Sequence, residues 1–248
     1  MPFIDIGAFG VTTSVSQGEN LTLTGFSHDK YPNMSSASGT VQALTTDRIF
    51  YTIDMTGGAS GSGLLNASNQ ITGINSYENS VTNFGTRITS LKMDYINYWL
   101  GSPKAHKYGK NVTITKQDIL WGNLTFTSRK ADKATIGNDY SAKYIYNNPN
   151  GSSYLSLYDK NGKWAGYINK SGSRDLVPVS YNKNVTIVIK NQWFWGDLLW
   201  KTKEHSTNDY LNQTLMAKRY YTLGNGKRFY SIYSGDAWLG YVNSAYTK

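Results

Sequence analysis

The stretch Tyr51-Thr-Ile-Asp-Met-Thr-Gly-Gly-Ala-Ser-Gly-Ser-Gly-Leu-Leu-Asn66 sets a serine among small residues between two apolar segments of β type. Glycines let the main chain turn sharply and come close to a substrate carbonyl. The amides of Gly58 and Ser60 can then face an oxyanion that develops beside the Ser60 hydroxyl. Gly/Ser loops between strands are also ordinary turns, so this one takes its meaning from what flanks it.

Reading outward, Leu23-Thr24-Gly25-Phe26, Ser38-Gly39-Thr40-Val41, Tyr51-Thr52-Ile53-Asp54, Ser60-Gly61-Ser62, Ile71-Thr72-Gly73-Ile74 and Phe84-Gly85-Thr86-Arg87-Ile88 follow in order. This succession, over about residues 12 to 101, resembles the second half of a bacterial chymotrypsin-fold serine protease of the glutamyl endopeptidase family. The resemblance implies an all-β fold, the second half of a trypsin-like double β-barrel with a closing C-terminal helix. It implies Ser60 as nucleophile and the Gly58 and Ser60 amides as oxyanion hole. Asp54, Met55 and Thr56 would wall one side of the specificity pocket, and Asn75, Ser76 and Tyr77 would lie on the strand whose backbone pairs with substrate.

The departures from the family matter as much. Asn75 stands where glutamyl-specific members carry a histidine and Met55 where they commonly carry a threonine, so a preference for glutamate is not implied. Asp54, six residues before the serine, would suit a cationic side chain by analogy with trypsin, although relatives of acidic preference also carry an aspartate there. Ala59 rules out activation through a buried ion pair with a new amino terminus, and Gly63 replaces the usual proline. A serine of this class needs a histidine base and an orienting aspartate, both from the first barrel. His28, His106 and His205 are the three histidines, and none has the Thr-Ala-Ala-His type of setting. His28 reads as a solvated turn residue. The expectation is a chain that starts after the first barrel, with any secretion signal upstream of Met1, inactive by itself and completed by a His/Asp half.

Composition narrows the class further. There is no cysteine, so neither disulfides nor a thiolate metal site is available, and three scattered histidines give no zinc spacing. No metal or cofactor is therefore expected. No apolar run reaches the 18 residues or so that a membrane span needs. Residues 1–100 hold four Lys/Arg against seven Asp/Glu, whereas residues 101–248 hold twenty-one against nine. At the junction Thr89 or Ser90 can cap a helix over Leu91–Leu100, with Leu91, Tyr95, Ile96, Trp99 and Leu100 on one face, ended by Gly101 and Pro103.

The basic part is duplicated. Tyr108-Gly-Lys-Asn-Val-Thr-Ile114 recurs as Tyr181-Asn-Lys-Asn-Val-Thr-Ile187, Trp121-Gly-Asn-Leu124 as Trp195-Gly-Asp-Leu198, and Trp164-Ala-Gly-Tyr-Ile-Asn169 as Trp238-Leu-Gly-Tyr-Val-Asn243. Alternating segments separated by Asn161-Gly162 and Asn225-Gly226 predict two small antiparallel barrels. The closing Trp-x-Gly-Tyr motif resembles bacterial Src-homology-3-like modules of the GW type, which hold secreted enzymes on cell walls. The expected domains are 1–102, 103–176 and 177–248. The expected location is secreted and wall-associated. The expected partners are a peptide or protein substrate and an anionic wall polymer, teichoic acid or peptidoglycan, with nucleic acid disfavoured for want of a recognition motif. The repeated Trp164 and Trp238 read as barrel core. The unrepeated Trp193 and Trp200, with Lys201 and Lys203, read as surface candidates.

Overall fold

The computed structural model describes residues 8–54, 56–78 and 82–248. The fold is all-β with one short α-helix among the described residues, and it divides into two compact units, Met1–Asn97 and Tyr98–Lys248.

The first unit contains β1 (Gly10–Val11), β2 (Asn20–Gly25), β3 (Ser35–Leu44), β4 (Arg48–Tyr51), β5 (Gly63–Leu65), β6 (Gln70–Tyr77) and β7 (Asn83–Arg87). The order β6-β5-β2-β3-β4-β7 closes because β7 also pairs with β6, and β1 lies parallel to the start of β6. Closure removes the unpaired edges that an open sheet would present. The period-2 alternation of Leu21-Thr22-Leu23-Thr24 decides which way β2 faces. Leu21 and Leu23 are buried in a core with Val41, Ile49, Tyr51, Ile53, Ala59 and Leu64. Thr22 and Thr24 point outward and meet the hydroxyls of Ser38 and Ser36 across the pair, each at 2.9 Å. Each buried leucine contributes about 1.5–3 kcal/mol over an exposed one.

The helix α1 (Ser90–Trp99) begins where the Lys92 amide donates to the Thr89 hydroxyl at 3.2 Å, and it ends at Gly101, whose φ is +75°. Its expected apolar face is divided. Tyr95 and Ile96 are partly buried, but Leu91, Trp99 and Leu100 are exposed, and Asp94 is the buried residue of the helix. No helix among the described residues is long and apolar enough to cross a membrane.

The second unit holds two copies of one sheet. The first runs β8 (His106–Ile114), β9 (Asp118–Trp121), β10 (Arg129–Ala134), β11 (Asp139–Asn147), β12 (Ser153–Tyr158), β13 (Trp164–Asn169) and β14 (Ser173–Asp175), ordered β10-β9-β13-β12-β11-β8-β14. The second runs β15 (Val179–Thr186), β16 (Trp193–Trp195), β17 (Lys203–Ser206), β18 (Thr214–Thr222), β19 (Arg228–Ser234) and β20 (Ala237–Asn243), ordered β17-β16-β20-β19-β18-β15. The pairing of Ser173 with Ile114 recurs as an isolated bridge between Thr247 and Ile187. The copies touch. The Asp139 carboxylate accepts the Gly224 amide at 3.0 Å and the Thr113 hydroxyl, Arg174 donates to the Thr222 carbonyl at 3.1 Å, and Leu176 joins Leu198, Leu223 and Phe229 in a small shared core.

Candidate functional site

The loop between β4 and β5 is fixed by its smallest residues. Ala59 is buried, its carbonyl accepts the Asn75 side-chain amide at 3.0 Å and the Ser62 amide at 3.2 Å, and the main chain of Asn75 brackets the loop. The Gly61 amide donates to the Asn75 carbonyl and the Asn75 amide to the Ser62 carbonyl, both at 2.8 Å. Gly58 has φ +103°, and a Cβ there would stand 2.7 Å from the Phe26 carbonyl oxygen and 2.9 Å from the His28 ring. Only glycine fits that position.

Held this way, Ser60 is exposed and its hydroxyl makes no hydrogen bond to a described residue. Among the described residues nothing accepts the amide hydrogens of Gly58 or Ser60 either. A free hydroxyl and two free amides therefore share one short loop, the groups that would act as nucleophile and as oxyanion donors once a base is supplied. His28 is exposed in a 3-10 turn, as its sequence suggested, but it also contacts this loop. Its amide donates to the Gly57 carbonyl at 2.8 Å and its ring lies against Gly58.

A cavity of about 290 Å³ opens beside the serine. Thr56, Gly57 and Ser60 line it from the loop, and Asn75, Ser76 and Tyr77 from β6. Leu23, Tyr51 and Ile53 also line it. Asp54 is exposed and does not line the cavity, and Met55 lies outside the described residues. Two lining residues, Glu78 and Asn83, escaped the sequence reading. Glu78 was accessible in principle, since it directly follows Tyr77 on the segment already assigned to that wall. Asn83 was not, because it reaches the site only through the β4–β7 pairing that sets it opposite Tyr51. Burial raises the Tyr51 phenol well above its ordinary range, so it stays protonated and donates to Asn75 Oδ1. The Thr56 hydroxyl, donating to Asp29, holds that carboxyl below the usual carboxylate range.

In the second unit the four surface candidates fall in two places. Lys203 Nζ sits 4.5 Å above the Trp193 ring, while Trp200 and Lys201 line a groove with Lys160, Asn161 and Gly162. Trp200 is not unrepeated. Phe126 occupies the matching position in the first copy, and the two share a left-handed backbone with φ +59° and +60°. That conformation costs an L-residue about 1–2 kcal/mol, and such strain collects at functional positions. The reading of the repeated tryptophans as core also needs correction, since Trp238 is 38% exposed, as much as Trp200. The reason lies in the glycine of Trp-x-Gly-Tyr. Gly166 and Gly240 have φ +141° and +125°, where a Cβ would press on the Trp121 and Trp195 carbonyls at 3.0 and 2.9 Å. The register shifts there, and each indole swings out to donate to Ser156 or Ser231 at 3.1 and 3.0 Å. Aliphatic residues and Phe194 fill the cores instead. Lysines lie over tyrosines in register, Lys143 over Tyr158 at 4.0 Å and Lys218 over Tyr233 at 4.1 Å.

No family model and no curated protein matches this chain. Among solved structures, a Glu endopeptidase is similar at 28% identity over 39% of this chain and 48% of its own, with a TM-score of 0.37. The chain thus spans about half the length of that structure. A Listeria monocytogenes protein described as an autolysin is similar at 13% identity over 94% of this chain and 92% of its own, with a TM-score of 0.28.

Proposed function

We propose that this chain is the C-terminal portion of a secreted serine endopeptidase, held on the bacterial cell wall by residues 103–248. The observation that carries the reading is the Ser60 loop, where an unengaged hydroxyl and two unengaged amides adjoin a closed barrel's cavity. Ser60 Oγ attacks the scissile carbonyl while a histidine outside this chain's own candidates removes its proton. The Gly58 and Ser60 amides hold the oxyanion, and the tetrahedral intermediate collapses with cleavage of the C–N bond as the histidine passes its proton to the departing amine. Water then hydrolyses the acyl ester to restore the Ser60 hydroxyl. With that base and its aspartate supplied by a complete protease, Ser60→Ala should abolish peptide-bond cleavage and leave wall binding unchanged. Persistent cleavage would remove Ser60 as nucleophile.

The tether is supported by the excess of Lys and Arg after residue 100 and by the repeated pairing of lysine with aromatic rings. Such a surface attracts a polyphosphate such as teichoic acid and offers ring faces to peptidoglycan sugars. Retention driven by charge falls steeply with salt, whereas salt-insensitive retention would point to stacking on sugars. A second reading is a wall-binding protein with a non-catalytic barrel, which the pairing of lysines with aromatic rings supports equally and which requires no base for Ser60. The cleavage assay separates the two.

A further inference from the structure

We infer that the cavity beside Ser60 receives a hydrogen-bond-donating side chain, cationic in preference to neutral, and rejects a carboxylate. This rests on the reading of that cavity as the pocket for the residue whose carbonyl Ser60 attacks.

The inference comes from where the lining groups send their hydrogens. Tyr51 donates to Asn75 Oδ1, and Thr56 to Asp29. Ser76 donates to the Ile74 carbonyl at 3.2 Å. The side-chain amide of Asn75 donates to the Ala59 carbonyl at 3.0 Å, and that of Asn83 to the Ile53 carbonyl at 2.7 Å. Carbonyls only accept, so these contacts fix which way both amides are turned. The hydroxyls of Tyr51, Thr56 and Ser76 are left with lone pairs. Asn83 Oδ1 is buried with no partner, although a buried acceptor ordinarily has one. Each amide keeps a second N–H, but no cation accompanies them. Glu78 adds a carboxylate to the lining, and no described lining residue is Lys, Arg or His. The residues adjacent in sequence that lie outside the described ones, Met55, Asn79, Ser80 and Val81, carry no cationic side chain. A carboxylate entering here could take hydrogens from the unengaged Ser60 and Tyr77 hydroxyls, but it would find no cation among the described lining residues and would meet the like charge of Glu78. An ammonium or guanidinium would be accepted by the lone pairs of the lining hydroxyls and would pair with Glu78.

The test titrates the isotope-labelled 248-residue chain with acetylated Ala-Ala-Lys, Ala-Ala-Gln, Ala-Ala-Leu and Ala-Ala-Glu as product mimics. It follows the amide resonances of Ser60, Gly61, Ser76 and Tyr77. The lysine peptide should bind most tightly, roughly tenfold more so than the glutamate peptide. Glu78→Gln at this exposed position should bring lysine down to the level of glutamine and leave leucine unmoved. Glutamate binding as tightly as lysine would overturn the selectivity while keeping the pocket. No shift at those amides with any of the four peptides would remove the pocket reading, and the selectivity with it.

Discussion

The two units build a surface for chemistry in opposite ways. In the first, the groups that matter are main-chain amides and one hydroxyl, displayed by a loop whose shape depends on a glycine at 58 and a small buried residue at 59. In the second, the groups are side chains, repeated at a near-constant offset and backed by a core that does not depend on them. A site made of backbone tolerates almost no change at its few key positions. A site made of repeated side chains loses function by degrees. Charge divides along the same line, with a single carboxylate, Glu78, at the cavity of the first unit and lysines paired with rings across the second.

The largest effect should come from the cores that the repeated surface rests on. Phe194→Ala empties a fully buried position and should cost about 3–5 kcal/mol, with the matched Leu120→Ala at about 2–5 kcal/mol. Urea denaturation of both variants checks this, and a smaller loss at 194 than at 120 would break the equivalence of the copies. Next comes the loop. Gly58→Ala adds a backbone clash to a left-handed φ and should cost about 3 kcal/mol or more. Gly61→Ala, with φ +88° but open space around the new methyl, should cost only about 1 kcal/mol. Equal losses at the two glycines would mean that the packing of Phe26 and His28 on Gly58 is unimportant.

In the second unit Trp200→Ala and Phe126→Ala should each lower retention on wall polymer partially, and the double variant more. Stability should shift by about 1 kcal/mol or less in Trp200→Ala, whose ring is exposed, and by more in Phe126→Ala, whose half-buried ring packs between Trp121 and Tyr154. Complete loss of retention from one substitution would contradict the distributed surface. The smallest effect is a pH dependence. Burial pushes the Asp175 carboxyl up, but hydrogen bonds from Lys110 at 2.7 Å and from Tyr108 outweigh it and hold its pKa below the ordinary value. A carboxyl depressed in the folded state stabilises the fold above its unfolded pKa, near about 3.9, and that contribution disappears as pH falls through the folded value. Asp175→Asn should therefore flatten stability below about pH 4 by no more than about 1 kcal/mol, as thermal melts across pH would record.

Much of the fold was legible because its signals are local. Alternation in Leu21–Thr24, the Asn-Gly hairpins and the helix stop at Gly101 each act within a few residues, and the duplication at residues 108 and 181 announced a second copy of whatever the first was. The hidden parts depend on distant pairing. Asn83 joins the cavity only when β7 closes the barrel against β4. The outward swing of Trp238 depends on the Trp195 carbonyl that crowds Gly240. Phe126 and Trp200 looked unrelated because their identities differ, while what they share is a backbone angle that no residue name encodes. The donors of the cavity show the same limit: Thr56 and Asn75 could be placed on its walls from sequence, but not which hydrogens they had already committed.

The most direct test of the account is fluorophosphonate labelling of the protein as its cells make it, followed by mass spectrometry of the peptide that carries Ser60. The account predicts a single adduct on Ser60 that is absent from Ser60→Ala, with wall binding equal in both. An unlabelled Ser60 in protein that still binds the wall would contradict it and leave a binding protein with a silent barrel.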